Sequence, residues 1–353
     1  MRNAIAELGP PGRSLALITT GGTIFQRVDP ATGSMAIAAS LEDILPEASW
    51  LRSAGVASWE HVDLAVRSGA ELTFPTIFRA RDAVRSRLGA CGAFVLVTGT
   101  DTLEEFAFVL ELLLGAELVA SGAALVVTGA MKPFDVEGYD GRANLQQAIQ
   151  VSCSVPAARF GVLVALNDAV HMARAVVKRD SQLLGSFASR TGGPVAQVRS
   201  GRVCWYAGSP PAEDGDGPLL LNAEERAAFA ALDAAAVEPW TRVGIWTTGV
   251  AGFVPEGLLR EVVGLVVAAP GTGSLSTALT EALAAWTARL PIVLVSRCGV
   301  GLNYDDAYYR GSLDKYTARG FLVAGGFEHL SAVQARNLLI LRLAAGQIRP
   351  SKT

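Results

Sequence analysis

The chain contains few cysteines, few histidines and no long run of basic residues. Its 353 residues include four cysteines, which lie far apart and form no CxxC pair. This spacing favours unpaired thiols in a reducing compartment over a disulfide framework or a thiolate metal site. The three histidines match neither HExxH nor another metal-ligand spacing. We therefore expect no metal ion and no other cofactor.

Charge and hydrophobic segment length argue against two classes of partner. The formal net charge is −3, and without a run of Lys or Arg neither nucleic acid nor an anionic membrane is expected. No apolar segment reaches the length of a membrane span. Residues 1–14 are interrupted by acidic residues and proline and lack the apolar core of a secretory signal. A cytoplasmic location is the default expectation.

Short apolar runs rich in Val, Ile and Leu alternate with amphipathic segments rich in Ala and Leu. This alternation is typical of an α/β fold with a parallel sheet covered on both faces. The predicted strands are residues 15–20, 62–67, 93–98, 124–130, 161–166, 242–248, 264–269 and 291–296. The predicted helices are residues 40–48, 75–89, 101–114, 141–153, 276–290 and 331–345.

A change of composition divides the chain into two unequal parts. Proline, glycine and acidic residues interrupt the alternation in the stretch GSPPAEDGDGPLLL and the alanine-rich residues after it. Such composition is typical of a linker. We therefore predict an N-terminal domain at 1–205, a linker at 206–240 and a C-terminal domain at 241–353.

Four turns rich in glycine and hydroxyl residues follow predicted strands. They are TTGGT, VTGTDT, TGAMKP and APGTGSLS, at 19–23, 97–102, 128–133 and 269–276. Ligands of open α/β sheets bind beyond the carboxyl ends of the strands, where glycines let the backbone approach and hydroxyls offer nucleophiles or hydrogen bonds. Taken singly, each turn also fits an ordinary turn or a helix N-cap.

The order of the motifs is more specific than any one of them. TTGGTI, TGTDTLEE, TGAMKP with DGRANLQQA, and VALNDAVHMARAVVKRD occur in that order, with GTGSLS and VSRCGVG further on. Together they resemble the bacterial-type L-asparaginase family over nearly the whole chain. The resemblance implies a larger N-terminal doubly wound sheet domain and a smaller C-terminal α/β domain. It also implies hydrolysis of small linear amides by a homodimer or homotetramer with active sites between subunits.

The resemblance assigns chemistry to four residues. Thr23 matches the threonine nucleophile, Thr100 the second catalytic threonine, and Asp101 and Lys178 its partners. A lysine next to a threonine hydroxyl accepts its proton when burial or a neighbouring positive charge lowers the lysine pKa. Asp101 is expected to hold that lysine or to bind a substrate ammonium.

Further residues are expected to contact the substrate. By resemblance these are Gly22, Ala130 and Met131, and the backbone amides of Thr100 and Ala130 are expected to donate to the oxyanion. Thr19 and Thr20 are expected to serve packing and hydrogen bonding at the end of the strand.

The sequence departs from the family where the substrate is held. Family members carry a lid tyrosine after the GGT turn, whereas Met35 is the nearest match here and no tyrosine occurs from residue 24 to 68. In the most direct alignment Gly69 and Ala70 replace the pair that binds the α-carboxylate and α-amine of the substrate. A shift by one residue would instead place Ser68 in that role.

Two features of the C-terminal part complete the expected site. Ser274 stands where the family commonly has asparagine, and Asp305 and Asp306 lie near the position of an acid that the partner subunit contributes. We therefore expect altered substrate preference: a poor asparaginase that prefers an amide without a free α-carboxylate or with a larger group there.

Three other functions compete with amide hydrolysis. The chain has no GxGxxG entering a helix, no GxxxxGK[ST] and no GxSxG, which argues against a nucleotide-binding enzyme and a serine hydrolase. A catalytically weakened homologue that binds a ligand or a partner is the main alternative. The retained Lys178 favours an enzyme, because a pure binding protein has no need of a proton acceptor.

Overall fold

The computed structural model of the chain describes residues 6–7, 12–66, 68–207, 221–304 and 310–349. Residues 1–212 and 213–353 pack as two separate units, and each is described by itself. Within the described ranges, no helix combines the length and apolar character needed to cross a membrane.

The strands and helices of these ranges are numbered in chain order. The strands are β1 (Ala6–Glu7), β2 (Arg13–Thr19), β3 (Gln26–Val28), β4 (Met35–Ile37), β5 (Val56–Asp63), β6 (Ala93–Val97), β7 (Ala124–Thr128), β8 (Val162–Leu166), β9 (Ala169–Met172), β10 (Val176–Lys178), β11 (Phe187–Ser189), β12 (Ala196–Arg199), β13 (Arg202–Trp205), β14 (Val243–Thr247), β15 (Gly264–Ala269) and β16 (Ile292–Ser296). The helices are α1 (Leu41–Ile44), α2 (Ala48–Ser53), α3 (Phe74–Arg85), α4 (Leu103–Ser121), α5 (Gly141–Cys153), α6 (Ala223–Ala230), α7 (Ala234–Val237), α8 (Glu256–Glu261), α9 (Thr277–Thr287), α10 (Arg310–Thr317) and α11 (Ala332–Ala344).

The N-terminal unit is built on a nine-stranded sheet in the order β1-β5-β2-β6-β7-β8-β9-β12-β13. The strands from β5 to β8 in that order are parallel neighbours, whereas β1 and the group β9, β12 and β13 are antiparallel at the two edges. The turns after β2, β6 and β7 therefore lie at the same edge of the sheet. This is the edge where open α/β sheets bind ligands.

Helices cover both faces of the parallel strands. Every residue of β6 and β7 is buried, as expected of strands between two helical layers. Helices α4 and α5 both pack against β7 and β8, and α5 contributes Leu145 and Ile149 to a core that includes Val95 and Val126. The predicted α/β class with a doubly wound N-terminal sheet is confirmed.

The C-terminal unit contains a parallel sheet of β14, β15 and β16. Helix α11 packs against all three strands, and its N-cap, Ser331, forms a capping box with Gln334. Leu283 of α9 packs with Leu265 and Leu294 of the sheet in a second hydrophobic core. The smaller unit is thus also an α/β structure.

Several elements differ from the sequence-based expectation. The strand predicted at 62–67 is misplaced: β5 runs over Val56–Asp63 and shares only residues 62 and 63 with the prediction, and residue 67 lies outside the described residues. Most residues of β5 are half-buried, so its sequence contains no continuous apolar run. The short antiparallel strands β9 to β13 were not predicted, because three or four residues carry too little periodicity. Helices α6 and α7 lie within the segment predicted as a linker, and both belong to the C-terminal unit.

Candidate active site

Three glycines bring three loops of the sheet edge into backbone contact. A Cβ atom on Gly22 would lie 2.5 Å from the nitrogen of Gly99, and one on Gly99 would lie 2.7 Å from the Cα of Gly69. Gly22 also has a φ of 100°, which L side chains rarely adopt. A side chain at Gly22 or Gly99 would therefore collide with the backbone of a neighbouring loop. The segments that carry Thr23, Ser68 and Thr100 are therefore neighbours.

Lys178 reaches the loop after β6 and joins two of the predicted catalytic residues. Its Nζ donates to Thr100 Oγ1 at 3.0 Å and lies 3.4 Å from Asp101 Oδ1. The Thr100 residue is 6% exposed, whereas the side chains of Lys178 and Asp101 are 15% and 68% exposed. A hydroxyl and an amine at this distance can exchange a proton, and the carboxylate of Asp101 is exposed to solvent.

Glu104 binds the main chain of the same lysine. Its Oε2 accepts the Lys178 N–H at 2.6 Å. Burial raises the pKa of Glu104 to about 7, and the bonded N–H and the charge of Lys178 oppose that rise. The sequence around Glu104 does not mark it as functional, because the helix dipole makes glutamate common in the first turn of any helix.

The loop after β7 packs beside Thr100. A Cβ atom on Gly129 would lie 2.4 Å from the carbonyl oxygen of Thr98 and 3.2 Å from the methyl group of Thr100. Ala130, the next residue, is 1% exposed. The backbone nitrogen predicted to bind an oxyanion thus follows directly on a segment in contact with Thr100.

Asp140 fixes the rest of that loop. Its carboxylate accepts the N–H groups of Met131 and Lys132, the former at 3.0 Å and the latter at 3.0 Å. Asn144 donates to the same carboxylate and to the carbonyl oxygen of Gly129, both at 2.9 Å. The predicted substrate-binding residue Met131 is therefore held through its backbone, while its sulfur accepts a hydrogen bond from Ser186.

The turn that carries Thr23 is fixed by a tyrosine from another loop. Thr23 begins a 3-10 turn, Thr23–Phe25, and is itself half-buried. The hydroxyl of Tyr139 donates to the carbonyl oxygen of Ile24 at 2.7 Å, and burial raises the pKa of this phenol. Tyr139 therefore positions the turn and stays protonated. Its place in the sequence, remote from the GGT motif, gave no signal of this role.

The two other threonines of the first motif bond within the strand ends. Thr20 donates to the Thr98 hydroxyl at 2.8 Å, and Thr19 lies 2.9 Å from Nε2 of His61. Beside Gly21 a cavity of about 290 Å³ is lined by both Thr19 and His61, together with Asp63. These contacts agree with packing and hydrogen bonding as the role of Thr19 and Thr20.

The residues expected to hold the substrate differ in how tightly they are packed and how exposed they are. A Cβ atom on Gly69 would meet Gly99 at 3.1 Å, so a serine here would be tightly packed. The Ser68 hydroxyl accepts the N–H of Ala70 at 3.3 Å, and Ala70 itself is exposed. Met35 lies in the hairpin of β3 and β4 and is 43% exposed.

Ser274 belongs to the C-terminal unit and follows β15. Its N–H donates to the carbonyl oxygen of Pro270 at 2.9 Å. Ser274 is exposed and lines, with Ser296 and Cys298, a pocket of about 370 Å³. Asp305 and Asp306 lie outside the described residues. Among the residues that are described, no group of three or more His, Cys, Asp or Glu is arranged to hold a metal ion.

Comparisons with known proteins identify the family of the chain. The family model "Asparaginase, N-terminal" matches residues 14–210, which is more than half of the chain. A probable L-asparaginase of Deinococcus radiodurans is 29% identical over 95% of this chain and 94% of its own. L-asparaginase 2 of Escherichia coli is 27% identical over 97% of this chain and 94% of its own.

A solved structure shares the fold. The crystal structure of a probable cytoplasmic L-asparaginase from Campylobacter jejuni matches with a TM-score of 0.73 at 24% identity, covering 94% of this chain and 95% of its own. The family match and the shared fold define a hydrolase built from two α/β units. The chain belongs to the asparaginase family of amidohydrolases.

Proposed function

We propose that the chain hydrolyses a carboxamide with Thr23 as nucleophile and the pair of Thr100 and Lys178 as proton acceptor. The observation that carries the proposal is the 3.0 Å hydrogen bond between Lys178 Nζ and the buried Thr100 hydroxyl. A structural lysine gains little from burial beside a hydroxyl, whereas proton transfer requires that contact.

The proposed reaction has two steps. The Thr23 oxygen bonds to the amide carbon, the C–N bond breaks, and the nitrogen leaves as ammonia with the proton that the threonine gave up. Water then cleaves the ester and releases the acid. The backbone N–H groups of Thr100 and Ala130 are proposed to donate to the oxyanion in both steps.

The proposed substrate differs from free asparagine at its α-carbon. Gly69 and Ala70 offer no side-chain donors, which leaves the Ser68 hydroxyl, the acceptor of the Ala70 N–H, as the one side-chain donor of these three residues. Each missing charge-assisted hydrogen bond costs about 1.5–3 kcal/mol. We therefore propose a preferred amide that lacks a free α-carboxylate or carries a larger group there.

The test is ammonia release from purified protein with L-asparagine, D-asparagine, L-glutamine and amides blocked or enlarged at the α-carboxylate. We expect kcat/KM for L-asparagine to be about 10²- to 10⁴-fold below that of the best amide. Equal or better turnover of free L-asparagine would refute the altered preference. No ammonia from any amide would refute the enzymatic proposal and favour a binding protein.

Assembly and location complete the proposal. We propose a homodimer or homotetramer, supported by exposed apolar side chains of the C-terminal unit, namely Val250, Phe253 and Val300. Sedimentation of an active monomer at nanomolar concentration would contradict it.

We also propose a cytoplasmic location, supported by four cysteines that are all free thiols. Fractionation of cells with an antibody to the chain tests it, and recovery outside the cytoplasm would contradict it.

A further inference from the structure

The main-chain N–H of Lys178 is not used by its own hairpin. Strands β10 and β11 are antiparallel, with Lys178 opposite Phe187. The next pair is hydrogen-bonded, because the Arg179 N–H donates to the Ser186 carbonyl at 2.8 Å. Hydrogen-bonded and non-hydrogen-bonded pairs alternate along an antiparallel ladder. The Lys178 N–H therefore points away from β11.

Glu104 accepts this outward N–H at 2.6 Å. It lies in the first turn of α4, whose N-cap is Thr102. Thr100, whose hydroxyl accepts a hydrogen bond from Nζ of the same lysine, lies two residues before that cap. One continuous segment thus binds Lys178 at both its main chain and its side-chain end.

We propose that Glu104 is a positioning residue, whose carboxylate fixes the main chain of Lys178 so that Nζ stays within hydrogen-bond distance of the Thr100 hydroxyl. The inference rests on the proposed function, which makes Lys178 the proton acceptor. A main-chain donor and a carboxylate form a charge-assisted hydrogen bond, which is stronger than a neutral one. A displacement of about 1 Å at a reacting group lowers rates by about 100-fold.

The charge of Glu104 makes this positioning dependent on pH. Burial is the largest cause that raises its pKa to about 7, and the neighbouring Glu105 raises it further. The Lys178 N–H and the Lys178 charge act in the opposite direction. Above pH 7 the carboxylate is ionised and binds the N–H most strongly, whereas below pH 7 it becomes neutral and the bond weakens.

The experiment measures kcat and KM from pH 5.5 to 8.5, with the best amide of the panel, for the wild-type chain, Glu104→Gln and Glu105→Gln. We expect wild-type kcat to rise with an inflection near pH 7. Glu104→Gln should lack this inflection and show kcat about five- to tenfold lower at pH 8, with KM changed less than about twofold. Glu105→Gln should keep the inflection at a lower pH, because it removes a like charge.

The outcomes separate this inference from the proposed function. An inflection that persists in Glu104→Gln would overturn the positioning role, even if wild-type activity and its dependence on Lys178 stand. A loss confined to KM would overturn it as well. If Glu104→Gln does not fold, Glu105→Gln decides: an inflection that does not move contradicts the inference. A wild-type chain without amidase activity overturns both proposals.

Discussion

Replacement of Gly99 by alanine tests the packing of the three loops. Its φ lies outside the left-handed region, so the added Cβ acts through contact alone, at 2.7 Å from both Cα and N of Gly69. Both of these atoms belong to the backbone and cannot rotate away. An ordinary contact begins near 3.4 Å, so the loops must separate by about 0.7 Å, within the range where overpacking costs about 1–3 kcal/mol.

We expect Gly99→Ala to lose that stability in urea-induced unfolding and to lose about 10- to 100-fold in kcat/KM, because Thr100 moves with Gly99. The matched control is Gly92→Ala at the other end of β6, where an added Cβ meets only the flexible Arg13 side chain at 3.6 Å. Ammonia release and unfolding are measured on both variants. If Gly99→Ala matches Gly92→Ala in stability and activity, the described contact between the loops is wrong.

Two further variants test the Tyr139 hydrogen bond and the buried His171 imidazole. Tyr139→Phe removes the hydrogen bond to Ile24. We expect the free energy of unfolding to fall by about 1 kcal/mol and kcat to fall as well. Unchanged values in both assays would contradict a role of Tyr139 in positioning the Thr23 turn. His171 is buried, and desolvation lowers its pKa to about 4 from 6.5, so the unfolded chain binds a proton in this range and the folded chain does not. Stability should therefore be full above pH 6.5 and fall by about 3 kcal/mol between pH 6.5 and 4. His171→Gln should flatten the pH dependence of the urea midpoint, and an unaltered slope would contradict this.

The sequence predicts the sheet and much of the candidate site because both depend on local patterns. Runs such as residues 93–97 are apolar throughout, which identifies a strand covered on two faces. Thr100 and Asp101 follow β6, whereas Lys178 ends β10 in a separate two-stranded sheet. All three were found because their motifs occur in a specific order. The structure brings these three together.

What the sequence does not predict depends on contacts between distant segments. Tyr139 binds a carbonyl 115 residues away, and Glu104 binds a main-chain N–H 74 residues away. Neither residue type stands out in its own motif. The sequence does not predict the close packing of Gly22, Gly69 and Gly99 either, because a glycine after a strand is typical of an ordinary turn.

The central claim is that Lys178 accepts a proton through Thr100, and steady-state ammonia release by Lys178→Met tests it most directly. Methionine is one atom shorter than lysine, keeps an unbranched apolar stem and has no amine. The control is Lys315→Met in α10, where the lysine lies against the Tyr316 ring of the C-terminal unit. We predict that Lys178→Met folds and loses about 10²- to 10⁴-fold in kcat with the best amide, while Lys315→Met keeps wild-type activity. A folded Lys178→Met variant with kcat within about threefold of wild type would contradict the claim.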